Sequence, residues 1–299
     1  MLITVWDDAG IRIDRWLAVQ DESLSRSAIQ KLISDGKVTI NGKKVKSSVK
    51  VEEGDEIFYE LPDLTEPDIV SEDIPLDILY EDEDVILINK PKGMVVHPAA
   101  GHYTGTMVNA LMYHCRGNLS GINGVMRPGI VHRIDKDTTG VVVACKNDSA
   151  HASLSGQIKE HSVTRRYRAV VCGVLPDDEG TVDAPIARHR TDRKKMAVMP
   201  DGRRAVTHYR VLKRFRKHTY IECVLETGRT HQIRVHMAYK GYPLLGDEVY
   251  GTKDTRYGLT GQTLHAVVLG FVHPRTGSYM EFAAPLPDYF EKLLEKLPQ

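Results

Sequence analysis

Cysteine is scarce in this chain, and what is missing narrows the class of protein. Four cysteines are spread through 299 residues without a C-x-x-C pair, which favours reduced cytosolic thiols over a disulfide framework or a zinc site. No apolar run approaches the length needed to span a membrane. The first residues lack the basic-then-apolar layout of a signal peptide. We therefore expect a cytoplasmic protein without membrane contact.

Several common catalytic signatures are also missing. The sequence contains no P-loop, no G-x-G-x-x-G, no G-x-S-x-G and no H-E-x-x-H, so nucleotide cofactors and serine hydrolysis are unsupported. We expect no cofactor and no bound metal. The formal net charge is zero, because forty basic and forty acidic residues cancel. Any binding of nucleic acid must therefore rest on the local distribution of charge.

One stretch combines dense charge with apolar flanks, GIVHRIDKDTTGVVVACK at residues 129–146. Residues 130–131 lead in, and residues 141–144 lead out with the β-branched side chains typical of a buried strand. A loop between two strands holds its side chains rigidly at the edge of a core. Arg133 and Asp135 are two apart and project to the same side of an extended chain. They form either an oriented catalytic carboxylate with its partner or a structural ion pair.

The segment HRIDKDTTG resembles the motif around the catalytic aspartate of the RluA-type pseudouridine synthases, which isomerise uridine in RNA. The resemblance implies that Asp135 is the catalytic group. It also implies that Arg133 and His132 lie beside the substrate base.

A second stretch, ETGRTHQIRVH at residues 226–236, resembles another motif of this family. The resemblance implies that Arg229 pairs with Asp135 and that Ile233 lines the base pocket. His231 and His236 could suggest a metal site, but a spacing of five misaligns them on a helix. We therefore disfavour the metal site.

The N-terminal residues predict a small basic module. Apolar residues recur at helical spacing over 28–33, and Asn41-Gly42 predicts a hairpin. Between residues 26 and 50 there are seven basic residues and one acidic residue, which would suit either a phosphate backbone or a solvated charged face. The segment resembles the S4 RNA-binding domain. That resemblance places RNA against these side chains: Arg26, Ser27 and Lys31, with Lys43 and Lys44 as helpers.

An acidic stretch marks the predicted domain boundary. Ten acidic residues and no basic ones lie between residues 63 and 84, and such a segment would be repelled by RNA. We predict an RNA-binding domain at residues 1–61, a linker at 62–76 and a catalytic domain at 77–299.

The catalytic domain reads as α+β with a mixed, mostly antiparallel sheet, because its strands are not regularly separated by helices. Strands are predicted at 78–80, 85–88, 141–144, 167–174, 205–212, 220–225 and 264–271. Helices are predicted at 107–114, 150–159, 231–240 and 288–297.

Two further segments carry candidate RNA contacts. Lys90 and Lys92 lie in a turn shaped by proline and glycine, either near phosphate or as a plain basic turn. The segment at residues 188–217 holds twelve basic and two acidic residues. Its first part, 188–196, lacks apolar periodicity and predicts a mobile loop that orders on RNA. The candidate contacts in this loop are Arg190, Arg193 and Lys194.

Tyr167 stands at the head of a predicted strand among arginines. A lone tyrosine usually packs in a core with its hydroxyl satisfied. Here the surrounding residues resemble the active-site tyrosine motif of the same family, which implies that Tyr167 stacks on the base.

The resemblance covers nearly the whole chain, with its motifs in the family's order. It implies an enzyme that isomerises specific uridines to pseudouridine in structured RNA, and 23S ribosomal RNA in particular, as a monomer without cofactor. A non-catalytic RNA-binding factor and a metal-dependent nuclease are the alternatives. The first requires that Asp135 be dispensable, and the second that chelators abolish activity.

Overall fold

The chain forms two compact units, Met1–Asp68 and Ile69–Gln299. The computed structural model describes residues 1–6, 9–21, 24, 26–60, 69–98, 102–124, 127–192, 195–253 and 256–299.

The first unit is a small α+β module. Its elements are β1 (Leu2–Thr4), α1 (Ile13–Gln20), α2 (Arg26–Ser34), β2 (Val38–Ile40), β3 (Lys43–Lys44) and β4 (Glu56–Tyr59). The strands pair antiparallel in the order β1-β4-β2-β3. Asn41 and Gly42 both have positive φ and turn β2 into β3, so the predicted hairpin is confirmed. Ile13, Ile29 and Ile57 are fully buried between the helices and the sheet.

The second unit is built on one large sheet. Its elements are β5 (Ile78–Glu81), β6 (Val85–Lys90), α3 (Met107–Cys115), β7 (Thr139–Cys145), α4 (Asp148–Lys159), β8 (Thr164–Cys172), β9 (Glu179–Asp183), β10 (Ile186–Arg188), β11 (Met196–Val198), β12 (Val206–Arg214), β13 (His218–Leu225), α5 (Gln232–Tyr239), β14 (Leu264–Val272), β15 (Tyr279–Ala283) and α6 (Asp288–Lys296).

The nine-stranded sheet of this unit has the order β5-β6-β7-β14-β8-β13-β12-β9, with β15 paired to β14. Among the described strands, β7 and β14 make the one parallel pair, and the rest are antiparallel. β10 and β11 form a separate antiparallel pair. The predicted α+β class with a mixed, mostly antiparallel sheet is confirmed.

β7 is buried along its whole length and on both faces. Val142 and Ala144 pack with α3, whereas Val141 and Val143 pack with α4. Burying each valine contributes about 1.5–3 kcal/mol. This anchoring fixes the start of β7, and therefore the polar loop that precedes it.

The segment before β7 differs from the predicted strand. Ile130 makes a single bridge to Ala144, and no strand is assigned at residues 130–131 in this described part of the chain. The polar segment is therefore a loop that leads into one strand, held at its far end by a bridge.

The second unit begins earlier than the acidic composition predicted. Ile69 is 7% exposed and packs with α3, and the Asn109 amide donates to the Val70 carbonyl at 2.8 Å. Residues 69–76 therefore belong to this unit rather than to a linker. The rest of the predicted linker, residues 62–68, lies outside the described residues.

The predicted mobile loop at residues 188–196 is the connection of a β-hairpin. Arg188 pairs with Met196 across β10 and β11, and the His189 N–H donates to the Lys195 carbonyl at 3.0 Å. Backbone pairing orders the described residues at the two ends of this segment, although its side chains carry no apolar periodicity. Arg193 and Lys194 lie outside the described residues.

None of the helices in the described parts of the chain combines the length and the apolar composition that crossing a bilayer requires.

Candidate active site

Asp135 lies in the loop before β7, and its side chain is 18% exposed. Its Oδ2 accepts a hydrogen bond of 2.8 Å from Nη1 of Arg234, a residue of α5. Its Oδ1 faces Nε2 of His231 at 3.7 Å. One carboxylate oxygen is therefore held by a guanidinium, while the other remains accessible for chemistry.

Arg234 is itself held by a second carboxylate. Its Nε and Nη2 donate to the two oxygens of Asp247 at 2.7 and 2.9 Å, and the Asp247 side chain is 0% exposed. Asp247 also accepts from the backbone N–H groups of Val249 and Tyr250. Burial disfavours the charged arginine, but Asp247 and Asp135 outweigh it and raise the pKa of Arg234. Arg234 is thus a permanent cation that orients Asp135.

The predicted pairing of Arg229 with Asp135 is wrong. Arg229 lies in the turn before α5, where its Nε donates to the Arg204 carbonyl at 2.9 Å. Arg234 makes the pair because it lies inside the helix, on the side that faces the Asp135 loop. Arg234 stands in the ETGRTHQIRVH stretch, and Asp247 follows it by 13 positions, a separation that gives no sequence signal of their pairing.

Two cavities meet at Asp135. A narrow one of about 60 Å³ and a wider one of about 520 Å³ share the lining residues Arg133, Ile134, Asp135, His231 and Arg234. The carboxylate therefore stands at the junction of a small pocket and an open space.

The narrow cavity is lined by both apolar and polar side chains, and Thr138 and Arg229 are among the polar ones. Tyr167 and Ile233, both predicted for the base pocket, line it together with Ile134, Leu225 and Leu264. Burial raises the pKa of Tyr167, so its hydroxyl stays protonated at neutral pH. The walls suit a flat, weakly polar group such as a nucleobase. Exposed Arg133 stands at the mouth, shared by both cavities.

His132 does not line either cavity, contrary to prediction. Its Nε2 accepts a hydrogen bond of 3.0 Å from the backbone N–H of Val143 in β7. Burial lowers its pKa to about 4, so it stays neutral. Neighbouring side chains of an extended segment point to opposite sides, so His132 turns toward β7 while Arg133 turns toward the cavities.

Lys90 does not reach RNA, contrary to prediction. It is fully buried, and its ammonium donates to the carbonyl oxygens of Pro91, Met94 and Lys136 at 2.8 to 3.0 Å. Burial lowers its pKa to about 7. Lys90 therefore ties the turn after β6 to the Asp135 loop.

The neighbouring Lys92 is half-buried. Its Nζ lies 4.2 Å from the ring centroid of Tyr289 and 3.5 Å from the Gly261 carbonyl. Burial lowers its pKa. Its predicted contact with RNA stays a prediction.

The first unit presents most of its predicted RNA-facing side chains to solvent. Ser27, Lys31, Lys43 and Lys44 are exposed. Arg26 is partly committed elsewhere, because its Nε and Nη2 donate to the buried carboxylate of Asp14 at 3.0 and 2.9 Å. In the second unit Arg190 is exposed at the end of the β10–β11 hairpin.

The two histidines considered for a metal face different partners. Nδ1 of His231 lies 2.8 Å from the Tyr250 hydroxyl. His236 is buried, with Nδ1 2.9 Å from the Thr207 hydroxyl and Nε2 2.9 Å from the Ala184 carbonyl. Both rings are therefore engaged in hydrogen bonds within the protein.

Comparison with known proteins agrees with this geometry. The family model for RNA pseudouridylate synthase matches residues 84–239, and the model for the S4 domain matches residues 11–57. An uncharacterized RNA pseudouridine synthase of Bacillus subtilis is 55% identical over 96% of this chain and 94% of its own length. A ribosomal large subunit pseudouridine synthase D of Pseudomonas aeruginosa is 45% identical over 97% of this chain and 93% of its own length.

A solved structure supports the same assignment. The human RNA pseudouridylate synthase domain containing 4 superposes with a TM-score of 0.57 at 26% identity, covering 74% of this chain and 94% of that chain. The expected S4 domain and the expected family are both confirmed. The chain belongs to the RNA pseudouridylate synthase family and is an isomerase of uridine in RNA.

Proposed function

We propose that this protein converts specific uridines of large-subunit ribosomal RNA to pseudouridine, with Asp135 acting on a flipped-out nucleotide. The observation that carries the role of Asp135 is its position at the junction of the two cavities, with one oxygen bound by Arg234 and the other open. Support for the ribosomal substrate comes from the relatives named as large-subunit synthases, which match nearly the whole chain.

The geometry suits a base in the narrow cavity and its ribose in the wider one. Extracting a uridine from its stack costs a few kcal/mol, which contacts in the pocket must offset. Tyr167 stands where it could stack on the base, a contact worth about 1–3 kcal/mol. Arg133 at the mouth is placed to contact phosphate or to help displace the base.

The reaction needs no external reagent. The bond from uracil N1 to C1′ of the ribose breaks, the uracil rotates, and its C5 bonds to C1′. C5 loses a proton and N1 gains one, so atoms and electrons balance. Asp135 acts as a carboxylate on the flipped-out nucleotide, and Arg234 orients it through the hydrogen bond to Oδ2.

The test is a comparison of ribosomal RNA from cells with and without the protein. Carbodiimide treatment followed by primer extension should reveal pseudouridines of the large-subunit RNA that disappear on deletion and return with the wild-type gene. If every ribosomal position is unchanged, the ribosomal substrate is refuted and transfer RNA becomes the substrate to examine. We also expect the protein to be cytoplasmic. We expect it to be a monomer, which light scattering of the purified protein checks.

A further inference from the structure

A second set of cavities lies away from Asp135, around the β12–β13 turn. Cavities of about 130 and 290 Å³ share the lining residues Lys217, His218, Arg256 and Tyr257 and so form one cleft. We call it the basic cleft. The His218 and Tyr257 rings meet edge to face, with centroids 5.7 Å apart.

The rim of the basic cleft is cationic. Arg216, Lys217, Lys253 and Arg256 are all exposed, and no acidic side chain lines the cleft among the residues that the structure describes. Lys217 and Lys253 make no ion pair with any described residue. Exposed cations around a concave site attract a polyanion and release its counterions on binding.

The basic cleft is connected to the active site by one segment of chain. Glu248, Val249 and Thr260 line the wider cavity at Asp135, whereas Thr252 and Lys253, between them in sequence, line the basic cleft. Along β8, Tyr167 borders the narrow cavity and Cys172 borders the cleft, five residues or roughly 16 Å away. A strand of RNA with one nucleotide at Asp135 could reach both.

We propose that the basic cleft is a phosphate-binding site for the RNA strand that flanks the modified uridine. The proposal rests on the proposed RNA substrate but not on the role of Asp135. In this proposal Lys217 and Lys253 strengthen RNA binding and help to position the RNA strand. They take no part in the reaction itself.

The test uses the full chain and a transcript of the large-subunit ribosomal RNA. Lys217→Gln with Lys253→Gln should lower affinity about tenfold and reduce the slope of log affinity against log salt by roughly 1.5. The matched control, Lys159→Gln with Lys240→Gln, removes two exposed lysines outside the cleft and should leave the slope unchanged. Bound RNA should also protect Lys217 and Lys253, but not Lys159, from acetylation.

An unchanged salt slope together with absent protection overturns the proposal, and so does an equal effect in the control variant. Pseudouridine formation by the wild-type protein is measured on the same transcript. Its absence would count against the proposed function, whereas the slope and the protection decide the cleft independently.

A different observation concerns the hairpin and Asp135. The Met196 N–H of β11 donates to the Tyr250 hydroxyl at 2.8 Å, so the tyrosine proton is free to bond Nδ1 of His231 at 2.8 Å. We assign Nδ1 as the acceptor in this pair, in which case the neutral ring carries its proton on Nε2, which faces the open oxygen of Asp135 at 3.7 Å. Burial lowers the pKa of His231, which favours the neutral ring.

The backbone at His231 is held in an unusual state. Its φ of 57° lies in the left-handed region, which few residues other than glycine and asparagine adopt. Such a conformation persists where surrounding contacts impose it. Here the Tyr250 hydrogen bond and the start of α5 do so.

We infer that His231 is a positioning residue for Asp135 and that the β10–β11 hairpin sets it through Tyr250. This inference rests on the proposed role of Asp135.

Three variants test this chain of hydrogen bonds. Tyr250→Phe keeps the ring that lies 5.2 Å from the Arg234 guanidinium but removes the hydroxyl. It should lower kcat about tenfold with KM for RNA unchanged, and nitrogen NMR should show His231 leaving the pure Nε2–H form.

His231→Gln, whose amide reaches the Nε2 position, should be more active than His231→Asn. A purely structural role predicts the reverse, because asparagine tolerates the left-handed backbone better. Unchanged kcat in Tyr250→Phe, or higher activity in the asparagine variant, overturns the inference. If the wild-type protein forms no pseudouridine in this assay, the proposed function is refuted instead.

Discussion

Replacing Asp135 by asparagine should abolish pseudouridine formation, a loss on the order of 10⁴-fold or more in kcat, while RNA binding survives. Asparagine fills the same space and still accepts a hydrogen bond from Arg234, which keeps its two bonds to Asp247. The fold should therefore persist, and only the negative charge at the junction of the cavities is lost. The measurement is single-turnover conversion on a ribosomal RNA transcript, with affinity measured separately by filter binding.

The control for this variant lies in the same wide cavity. Glu248 is an exposed carboxylate that lines it, and Glu248→Gln makes the same chemical change. That variant should keep the rate within a few fold. Conversion by Asp135→Asn at a rate near wild type would remove Asp135 from the mechanism. A rate loss of equal size in both variants would show that the cavity's overall charge matters, rather than one carboxylate.

The environments of Asp135 and Asp247 differ in a way that supports the reactive role proposed for Asp135. Asp247 is fully buried and spends both oxygens on Arg234 and on backbone N–H groups. Asp135 is partly exposed and gives only one oxygen to the same arginine. The Arg234 guanidinium thus links the buried carboxylate of Asp247 to that of Asp135, and the position of Asp135 depends on that link.

Local patterns predicted the frame of this site but not its contacts. The run of β-branched residues in 141–144 predicted β7 because burial on both faces demands apolar side chains everywhere. The Asn41-Gly42 turn predicted its hairpin for a similarly local reason. In each case the determining forces act between near neighbours in the chain.

The partners of Asp135 depend on tertiary structure. Arg234 and Asp135 are 99 positions apart, and which arginine of the GRTHQIR stretch faces the loop depends on where α5 packs against the sheet. The turn before α5 is fixed by Gln232, whose amide oxygen accepts from the Arg229 backbone N–H at 2.9 Å. The Arg229 side chain borders the same narrow cavity as Asp135, but its Nε donates to the Arg204 carbonyl instead of to the carboxylate. The burial of Lys90 likewise follows from three carbonyl groups that only the folded chain brings together.

Replacing Arg234 should be more damaging than the same replacement at Arg229. Arg234→Lys keeps a positive charge, but an ammonium cannot grip Asp247 with two parallel bonds and also reach Asp135. We expect kcat to fall by at least about 100-fold, since loss of orientation alone can have that effect. Arg229→Lys should lose no more than about tenfold, because Arg229 bonds a backbone carbonyl rather than the carboxylate. Comparable kcat losses in the two lysine variants would contradict the assignment of Arg234.

Stability must be separated from catalysis at this position. Arg234→Met leaves Asp247 as an unpaired buried carboxylate, which costs about 3–5 kcal/mol of unfolding free energy. Adding Asp247→Asn removes that charge while keeping an acceptor for the backbone N–H groups of Val249 and Tyr250. Thermal unfolding of the double variant should return most of the way to wild type, because no buried charge is left without a partner. Its activity should remain lost, because nothing then orients Asp135. Recovery of activity together with stability would mean that Arg234 supports the fold alone and that Asp135 needs no cation beside it.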